Sequence, residues 1–146
     1  MKQYFSEIEL STKQQFEVLD ISGFVKEAIE KSGVKEGVAV ITTPHTTAAI
    51  RLNHFEPLLI QDLFNTTYSL VPMTKSYSHD LFELRQNISA QERSNGHAHV
   101  KAFLLGTSET LVISDSAPLL GKFQNILFVE LDGGRQRRFY IKIIGE

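Results

Sequence analysis

The sequence predicts an α+β fold with a mainly antiparallel sheet and about three helices. Strand-like and helical hydrophobic patterns follow one another in the order ββαββα, a long loop and αβββ. Short turn sequences rather than helices separate the last strands, which is typical of antiparallel neighbours. A β-branched apolar run, GVAVIT at residues 37–42, suits a buried central strand.

The first half of the chain contains the opening strands, two helices and the central strand. The two opening strands are predicted to form an N-terminal hairpin. Gly33 ends the first helix, and Pro57 opens the second. The predicted strands are residues 4–10, 16–19, 37–42 and 47–53, and the predicted helices are residues 21–31 and 58–67.

The second half begins with a long polar loop over residues 69–94, which surrounds a short helical piece at 81–85. Asp132, Gly133 and Gly134 predict a tight hairpin between the last two strands. The predicted strands of this half are residues 110–114, 125–131 and 137–144.

Length and composition indicate one globular domain spanning residues 1–146. A formal charge of -2 gives no electrostatic footprint for nucleic acid or for an acidic membrane. The chain has no 18-residue apolar run and no signal-like N-terminus, so we expect a cytoplasmic protein. Because it has no cysteine, any metal must be held by histidine and carboxylate groups.

The stretch SNGHAHVKAFLLG at residues 94–106 concentrates two histidines and a lysine within five residues. Propensity favours a helix over residues 97–105, capped by Ser94 or Asn95, with a helix start suited to an anion. A strand is the alternative, and it would place His97, His99 and Lys101 on one face. In the helix, only one of the two histidines can bind a given ion without distortion.

Histidines at segment junctions are the second candidate for chemistry. His45, His79, His97 and His99 all lie at such junctions, and a cluster of them serves a divalent metal or an acid–base pair. The alternative is that they are hydrogen-bonded structural histidines. Thr46 and Thr47 flank His45 after the central strand, where they either bind phosphate or carboxylate oxygens or continue the sheet.

Charged side chains near these junctions also have two interpretations each. Asp80 either assists a metal site or caps the short helix that follows it. Arg135 and Arg137 lie on one face of the last strand and Arg138 on the other. They form either a solvated face or a bidentate phosphate contact, and Lys101 is a further cation.

Five motifs in this order resemble the YjbQ family from about residue 38 to the C-terminus. They are PHTTAAI at 44–50, HD at 79–80, NGHAHVKAFLLG at 95–106, GKFQNI at 121–126 and ELDGGRQRR at 130–138. The resemblance implies a small, cytoplasmic α+β protein that forms homotrimers. It also implies a secondary thiamine-phosphate synthase activity, which joins hydroxymethylpyrimidine diphosphate to thiazole phosphate and releases pyrophosphate.

The resemblance and the residue chemistry together give each candidate a predicted role. Phe123 stands where the family usually has tryptophan, and Arg135 directly follows Gly134 where the family has Gly-Pro-Arg. The expected cofactor is a divalent metal, either zinc, manganese or magnesium. The predicted catalytic residues are His45, His97, His99 and Lys101, the predicted phosphate or substrate ligands are Thr46, Thr47, Asn95, Gln124 and Arg135, the predicted metal ligands are His45, His79 and His97, and Asp80 and Glu130 are expected to orient them.

Two other functions fit the same residues. One is a metal-dependent hydrolase or lyase acting on another phosphorylated metabolite. The other is a non-catalytic trimeric protein that binds a small molecule, with the histidines in structural roles.

Overall fold

The computed structural model describes residues 1–146 as eight strands, three α-helices and two single-turn 3-10 helices. The short 3-10 turns, Ser78–Asp80 and Phe82–Leu84, lie in the long loop after the second helix. The strands are β1 (Lys2–Ser11), β2 (Glu17–Asp20), β3 (Gly37–Thr42), β4 (Ala48–Asn53), β5 (Ser108–Ser114), β6 (Ala117–Pro118), β7 (Asn125–Glu130) and β8 (Gln136–Gly145), and the helices are α1 (Ser22–Ser32), α2 (Pro57–Leu70) and α3 (Gly96–Leu105).

Two antiparallel sheets organise these strands. One has five strands in the order β1-β8-β3-β5-β6, and the other has three in the order β2-β7-β4. Every strand pairing is antiparallel. The predicted α+β class, with three helices and antiparallel sheets, is therefore confirmed.

The main core fills the space between the two sheets and α1. Strand β8 alternates strictly, so that Phe139, Ile141 and Ile143 are buried while their sequence neighbours are not. Phe139 packs against Phe128 of β7, with ring centroids 6.2 Å apart, and this contact joins the two sheets. The opposite face of β4 and β7 packs on α3 through Ala98 and Ala102. The small side chains of Ala98 and Ala102 allow α3 to pack closely against β4.

Both predicted hairpins are wrong. Strand β1 pairs with β8, and β2 pairs with β7. The two strands of each predicted hairpin, β1 with β2 and β7 with β8, therefore belong to different sheets. The chain crosses between the sheets at residues 12–16 and again at 131–135, and the two crossings pack on each other. A Cβ atom on Gly133 would lie 1.9 Å from the carbonyl oxygen of Gln14. Gly133 therefore permits a close backbone approach and does not form a two-residue turn.

The helical alternative for residues 97–105 is confirmed, but the predicted cap is not. Neither Ser94 nor Asn95 provides a side-chain cap for α3. Instead, Asp80 Oδ1 accepts the backbone N–H groups of Asn95 and Gly96 at 3.0 and 2.9 Å. The carboxylate of Asp80 thus occupies the N-terminus of α3, where the sequence analysis placed a possible anion-binding site.

No helix of the chain has the length and apolar character needed to cross a membrane.

Candidate functional site

A polar cavity of about 330 Å³ lies where the loop after β3, the segment before α3 and the start of β8 meet. Apart from Pro44, every residue in its wall is polar or charged. The wall is formed by Pro44, His45, Thr46, Thr47, Ser89, Gln91, Glu92, Arg93, Asn95, His99, Arg135 and Arg137. Its size suits a small metabolite.

Asp132 holds three of these wall residues together from behind. The Asp132 side chain is only 3% exposed. It accepts hydrogen bonds from Asn95 Nδ2 at 2.9 Å and from Arg135 Nη2 at 2.8 Å, and it forms an ion pair with Arg93, whose Nε lies 3.0 Å from Oδ1. Arg135 Nε and Arg93 Nη2 also donate to the Asp132 carbonyl oxygen. Two guanidinium groups from distant parts of the chain are thereby fixed side by side at the cavity.

The third arginine of the wall, Arg137, belongs to a buried ion pair with Glu130. Arg137 Nε and Nη2 donate to the Glu130 carboxylate at 2.7 and 2.6 Å, and Nη2 also donates to Thr47 Oγ1 at 2.8 Å. Burial would raise the pKa of Glu130, but bonds from Arg137, the Asp132 N–H and Thr12 together hold it below the ordinary value. The Nη1 group of Arg137 has no partner within the chain.

The loop after β3 supplies unpaired donors to the same cavity. The backbone N–H groups of His45, Thr46 and Thr47 donate no hydrogen bond within the chain. His45 Nε2 accepts the backbone N–H of Arg138 at 3.0 Å, so the ring hydrogen of neutral His45 is on Nδ1. Burial and the charges of Arg137 and Arg138 lower the pKa of His45, which favours this neutral form. His45 is therefore a hydrogen-bond donor at the cavity.

His79 and His99 form a second imidazole pair beside the cavity. Their ring centroids are 4.5 Å apart in an edge-on arrangement, and His99 belongs to the wall. Burial and the neighbouring His79 lower the pKa of His99, so this ring is also neutral near pH 7. His79 Nε2 is buried without a hydrogen-bond partner. His99 therefore offers the cavity a neutral imidazole that can accept a proton.

His97 and Lys101 lie on the opposite side of α3 from His99, because residues two apart on a helix point about 200° apart. Lys101 is fully buried, with Nζ 2.8 Å from His97 Nδ1 and 3.7 Å from the centroid of the Tyr68 ring. Burial lowers the pKa of Lys101 to about 8, and burial together with Lys101 lowers that of His97. Neither side chain belongs to the cavity wall.

Replacing Lys101 with methionine is expected to leave the free energy of unfolding unchanged or to raise it by about 1–2 kcal/mol. The reason is that the ammonium is desolvated without a carboxylate partner, whereas methionine fills similar space at no charge cost. Chemical denaturation at pH 7 measures the change, with Lys101→Ala as the cavity-forming control. A loss above about 2 kcal/mol in Lys101→Met would mean that the contacts with His97 and Tyr68 outweigh desolvation.

Stability is expected to fall as the pH is lowered from about 7.5 to 5.5, by a few degrees in Tm. The pKa values of His45, His97 and His99 are all lowered from 6.5 in the folded chain, so the unfolded chain takes up more protons in this range. The pKa of Glu130 is lowered from 4.5, so its contribution is lost only at lower pH. Thermal melts of the wild type and of His97→Gln measure the effect. A flat profile in the wild type would contradict it.

The structure brings together only part of the predicted site. Gln124 accepts from the Gly121 N–H in a separate turn and lies about 20 Å along β7 from Glu130. His45, His79 and His97 do not converge, and no three histidine or carboxylate groups are arranged to hold a metal ion. The predicted residues in the cavity wall are His45, Thr46, Thr47, Asn95, His99 and Arg135, whereas His79, Asp80 and Glu130 lie behind the wall.

Sequence reasoning did not include Arg93 or Asp132 in the site, and it offered Arg137 only as one alternative, in a phosphate contact. Arg137 and Asp132 both belong to the motif ELDGGRQRR, but its charges favoured a solvated hairpin face over a phosphate contact. Both are buried because the predicted hairpin does not form. Arg93 lies in a polar loop segment without periodicity, and only the tertiary contact with Asp132 identifies it.

Comparisons with known proteins agree on one family. The family model described as "UPF0047 protein YjbQ-like" matches residues 6–146. A UPF0047 protein of Methanocaldococcus jannaschii is 39% identical over 94% of this chain and 92% of its own length. The UPF0047 protein YugU of Bacillus subtilis is 30% identical over 94% of this chain and 97% of its own length.

Solved structures share the fold as well as the sequence. The crystal structure of a YbjQ-like protein of unknown function from Sulfolobus solfataricus has a TM-score of 0.90 and 36% identity, and the match covers 99% of both chains. A yjbq/upf0047 family protein from Clostridium acetobutylicum has a TM-score of 0.84 and 36% identity, covering 95% of this chain and 99% of that one. This chain belongs to the YjbQ family, UPF0047.

Proposed function

We propose that this chain is a cytoplasmic enzyme that binds a phosphorylated small molecule in the polar cavity and catalyses a reaction of the thiamine-phosphate synthase type. The observation that carries the proposal is the concentration of donors in one wall. The wall contains Arg93, Arg135 and Arg137. It also contains the free backbone N–H groups of residues 45–47 and a neutral His45.

The charge balance favours an anion. The three guanidinium groups are offset by only two carboxylates, those of Asp132 and Glu130, and Glu92 of the wall is paired with Arg85. Arginine forks and consecutive backbone N–H groups are both suited to phosphate oxygens. A cavity of this size admits a diphosphate with a small ring attached.

In the proposed reaction, the thiazole nitrogen forms a bond to the methylene carbon of the pyrimidine. The bond between that carbon and the diphosphate oxygen breaks, and its electrons leave with pyrophosphate. The cavity donors would stabilise the charge that develops on the leaving group, which is commonly the largest catalytic contribution. Arg135 and the 45–47 loop would bind the diphosphate, and His45 Nδ1–H would donate to it. Thr46 and Thr47 contribute hydroxyl groups to the same wall.

A synthase assay tests this proposal. The purified chain is incubated with hydroxymethylpyrimidine diphosphate and thiazole phosphate, without metal and with zinc, manganese or magnesium. Formation of thiamine phosphate and pyrophosphate in equal amounts, measured by mass spectrometry, is the expected result. Binding of the diphosphate without any product, under all metal conditions, would favour the non-catalytic ligand-binding alternative.

Hydrolysis of a phosphorylated metabolite is a second candidate, and the free imidazole of His99 favours it. His99 is neutral, makes no side-chain hydrogen bond and lies in the wall, so it is suited to activating a water molecule. The two reactions can be distinguished by their products. A hydrolase would release the pyrimidine alcohol from the diphosphate even when no thiazole phosphate is present. They also separate by variant: His99→Ala should abolish hydrolysis but spare the transfer reaction, which removes no proton from the thiazole nitrogen.

The homotrimer implied by the family resemblance is part of the same proposal. Helix α3 supports it, because Phe103 and Leu104 are 87% and 65% exposed in the single chain. Light scattering after size exclusion measures the assembly. A monomer at micromolar concentration would contradict this part of the proposal and leave the cavity argument in place.

A further inference from the structure

A second cavity, of about 440 Å³, adjoins the polar cavity. Pro44, His45, Thr46 and His99 belong to the walls of both, so the loop after β3 and the first turn of α3 border the two cavities. No aspartate, glutamate, lysine or arginine belongs to the second cavity, and we name it the uncharged cavity. The rest of its wall is formed by Thr43, Ala102, Phe103, Gly106 and Thr107.

The two cavities differ in charge. The polar cavity has the guanidinium groups of Arg93, Arg135 and Arg137, whereas the uncharged cavity has only the two imidazoles that it shares with the polar one. Burial lowers the pKa of both His45 and His99, so these rings are neutral near pH 7. An ionic group in the uncharged cavity would lose water without gaining a counter-charge, which costs free energy.

The wall of the uncharged cavity consists mainly of small or apolar side chains. Thr43 and Ala102 are only 4% and 2% exposed, so they form its floor, whereas Pro44 and Thr107 are more exposed and form its sides. An organic group that covers the carbon atoms of such a wall is removed from water, which favours binding. In the polar cavity, Pro44 is the only wall residue that is neither polar nor charged, so an organic group gains less there.

We propose that the uncharged cavity binds the organic group of the substrate while the arginines of the polar cavity bind its phosphate part. The inference rests on the proposed function, because it takes the polar cavity as the anion site. It narrows the substrate class to phosphate or diphosphate esters of an uncharged group of about ring size. The bond between the two parts of such an ester lies beside His45 and His99, which border both cavities.

Three diphosphate esters test the inference on the wild-type chain by calorimetry. They are methyl diphosphate, 2-phenylethyl diphosphate and 2-(4-carboxyphenyl)ethyl diphosphate. The phenyl ester is expected to bind about tenfold to a hundredfold more tightly than the methyl ester, because burial of its ring is added to the same anion contact. The carboxyphenyl ester is expected to bind about tenfold less tightly than the phenyl ester.

Two results with these esters would overturn the inference. One is equal affinity, within about threefold, for the phenyl and methyl esters. The other is binding of the carboxyphenyl ester that is at least as tight as binding of the phenyl ester. Absence of binding by all three esters and by inorganic pyrophosphate would instead refute the anion site of the proposed function, and the inference would fall with it.

The variant Thr107→Phe fills the uncharged cavity and provides the protein-side test. Thr107 bonds to the chain through its backbone carbonyl oxygen, so the larger side chain should not disturb the fold. The variant should bind the phenyl and methyl esters equally, within about threefold, and bind pyrophosphate like the wild type. The control is Thr110→Phe, because Thr110 is exposed on β5 outside both cavities, and this variant should keep the wild-type preference. A full preference for the phenyl ester in a folded Thr107→Phe chain would overturn the inference.

Discussion

Replacing Glu130 with alanine is expected to lower the free energy of unfolding by about 3–5 kcal/mol. Glu130 is fully buried and accepts from Arg137, Thr12 and the backbone N–H of Asp132. Its removal leaves the Arg137 guanidinium, whose side chain is 5% exposed, as an unpaired buried charge. In the wild type, these hydrogen bonds connect β7 with β8 and with the crossing at Thr12. Their loss therefore removes a connection between the two sheets. Urea denaturation at pH 7 measures the change.

Glu109→Ala is the matched control for Glu130→Ala. Glu109 pairs with Arg51 at 2.9 Å, but the Arg51 side chain is 48% exposed. An exposed pair of this kind contributes about 0–1 kcal/mol, so the control should remain close to the wild type. Equal losses in the two variants would show that the Glu130–Arg137 pair is not the buried support described above.

Replacing His45 with alanine is expected to reduce turnover in the synthase assay about a hundredfold or more. His45 donates from Nδ1 at the cavity, and a donor placed against developing negative charge acts mainly in the transition state. Its imidazole makes one hydrogen bond within the chain, to the Arg138 N–H, so the fold should persist. Initial rates at saturating substrate, with circular dichroism as the folding check, measure the effect.

His54→Ala is the control for His45→Ala, because His54 is partly exposed and lies against the Phe123 ring outside the cavity. Its turnover should match the wild type. If His45→Ala retains wild-type turnover, His45 does not act in the reaction. If both variants lose turnover equally, the effect arises from general damage to the chain.

Much of the fold was predictable because its elements have local signals. Helix α3 was correctly favoured by the helix formers between His97 and Leu105, and Pro57 correctly marked the start of α2. The pairing of strands was not predictable in the same way. Polar turn residues at 11–15 and 132–134 indicate a change of direction, but they do not reveal that the chain passes to a second sheet.

Local sequence could predict which site residues lie side by side only where those residues belong to one segment. His45, Thr46 and Thr47 do meet in the cavity, because a single loop carries all three. The separation of His97 from His99 follows from the geometry of α3. The grouping of Arg93 and Arg135 around Asp132 depends on contacts between residues 39 positions apart, which no local pattern encodes.

The central claim is that the arginine-lined cavity binds a phosphate-type anion. Calorimetric titration of inorganic pyrophosphate into the wild type, Arg135→Ala and Arg138→Ala tests it most directly. Arg135 belongs to the cavity wall, whereas Arg138 lies on the other face of β8 and is half exposed. One site per chain is predicted in the wild type, with affinity about tenfold to a hundredfold weaker in Arg135→Ala and unchanged in Arg138→Ala. No binding to the wild type, or equal losses in the two variants, would contradict the claim.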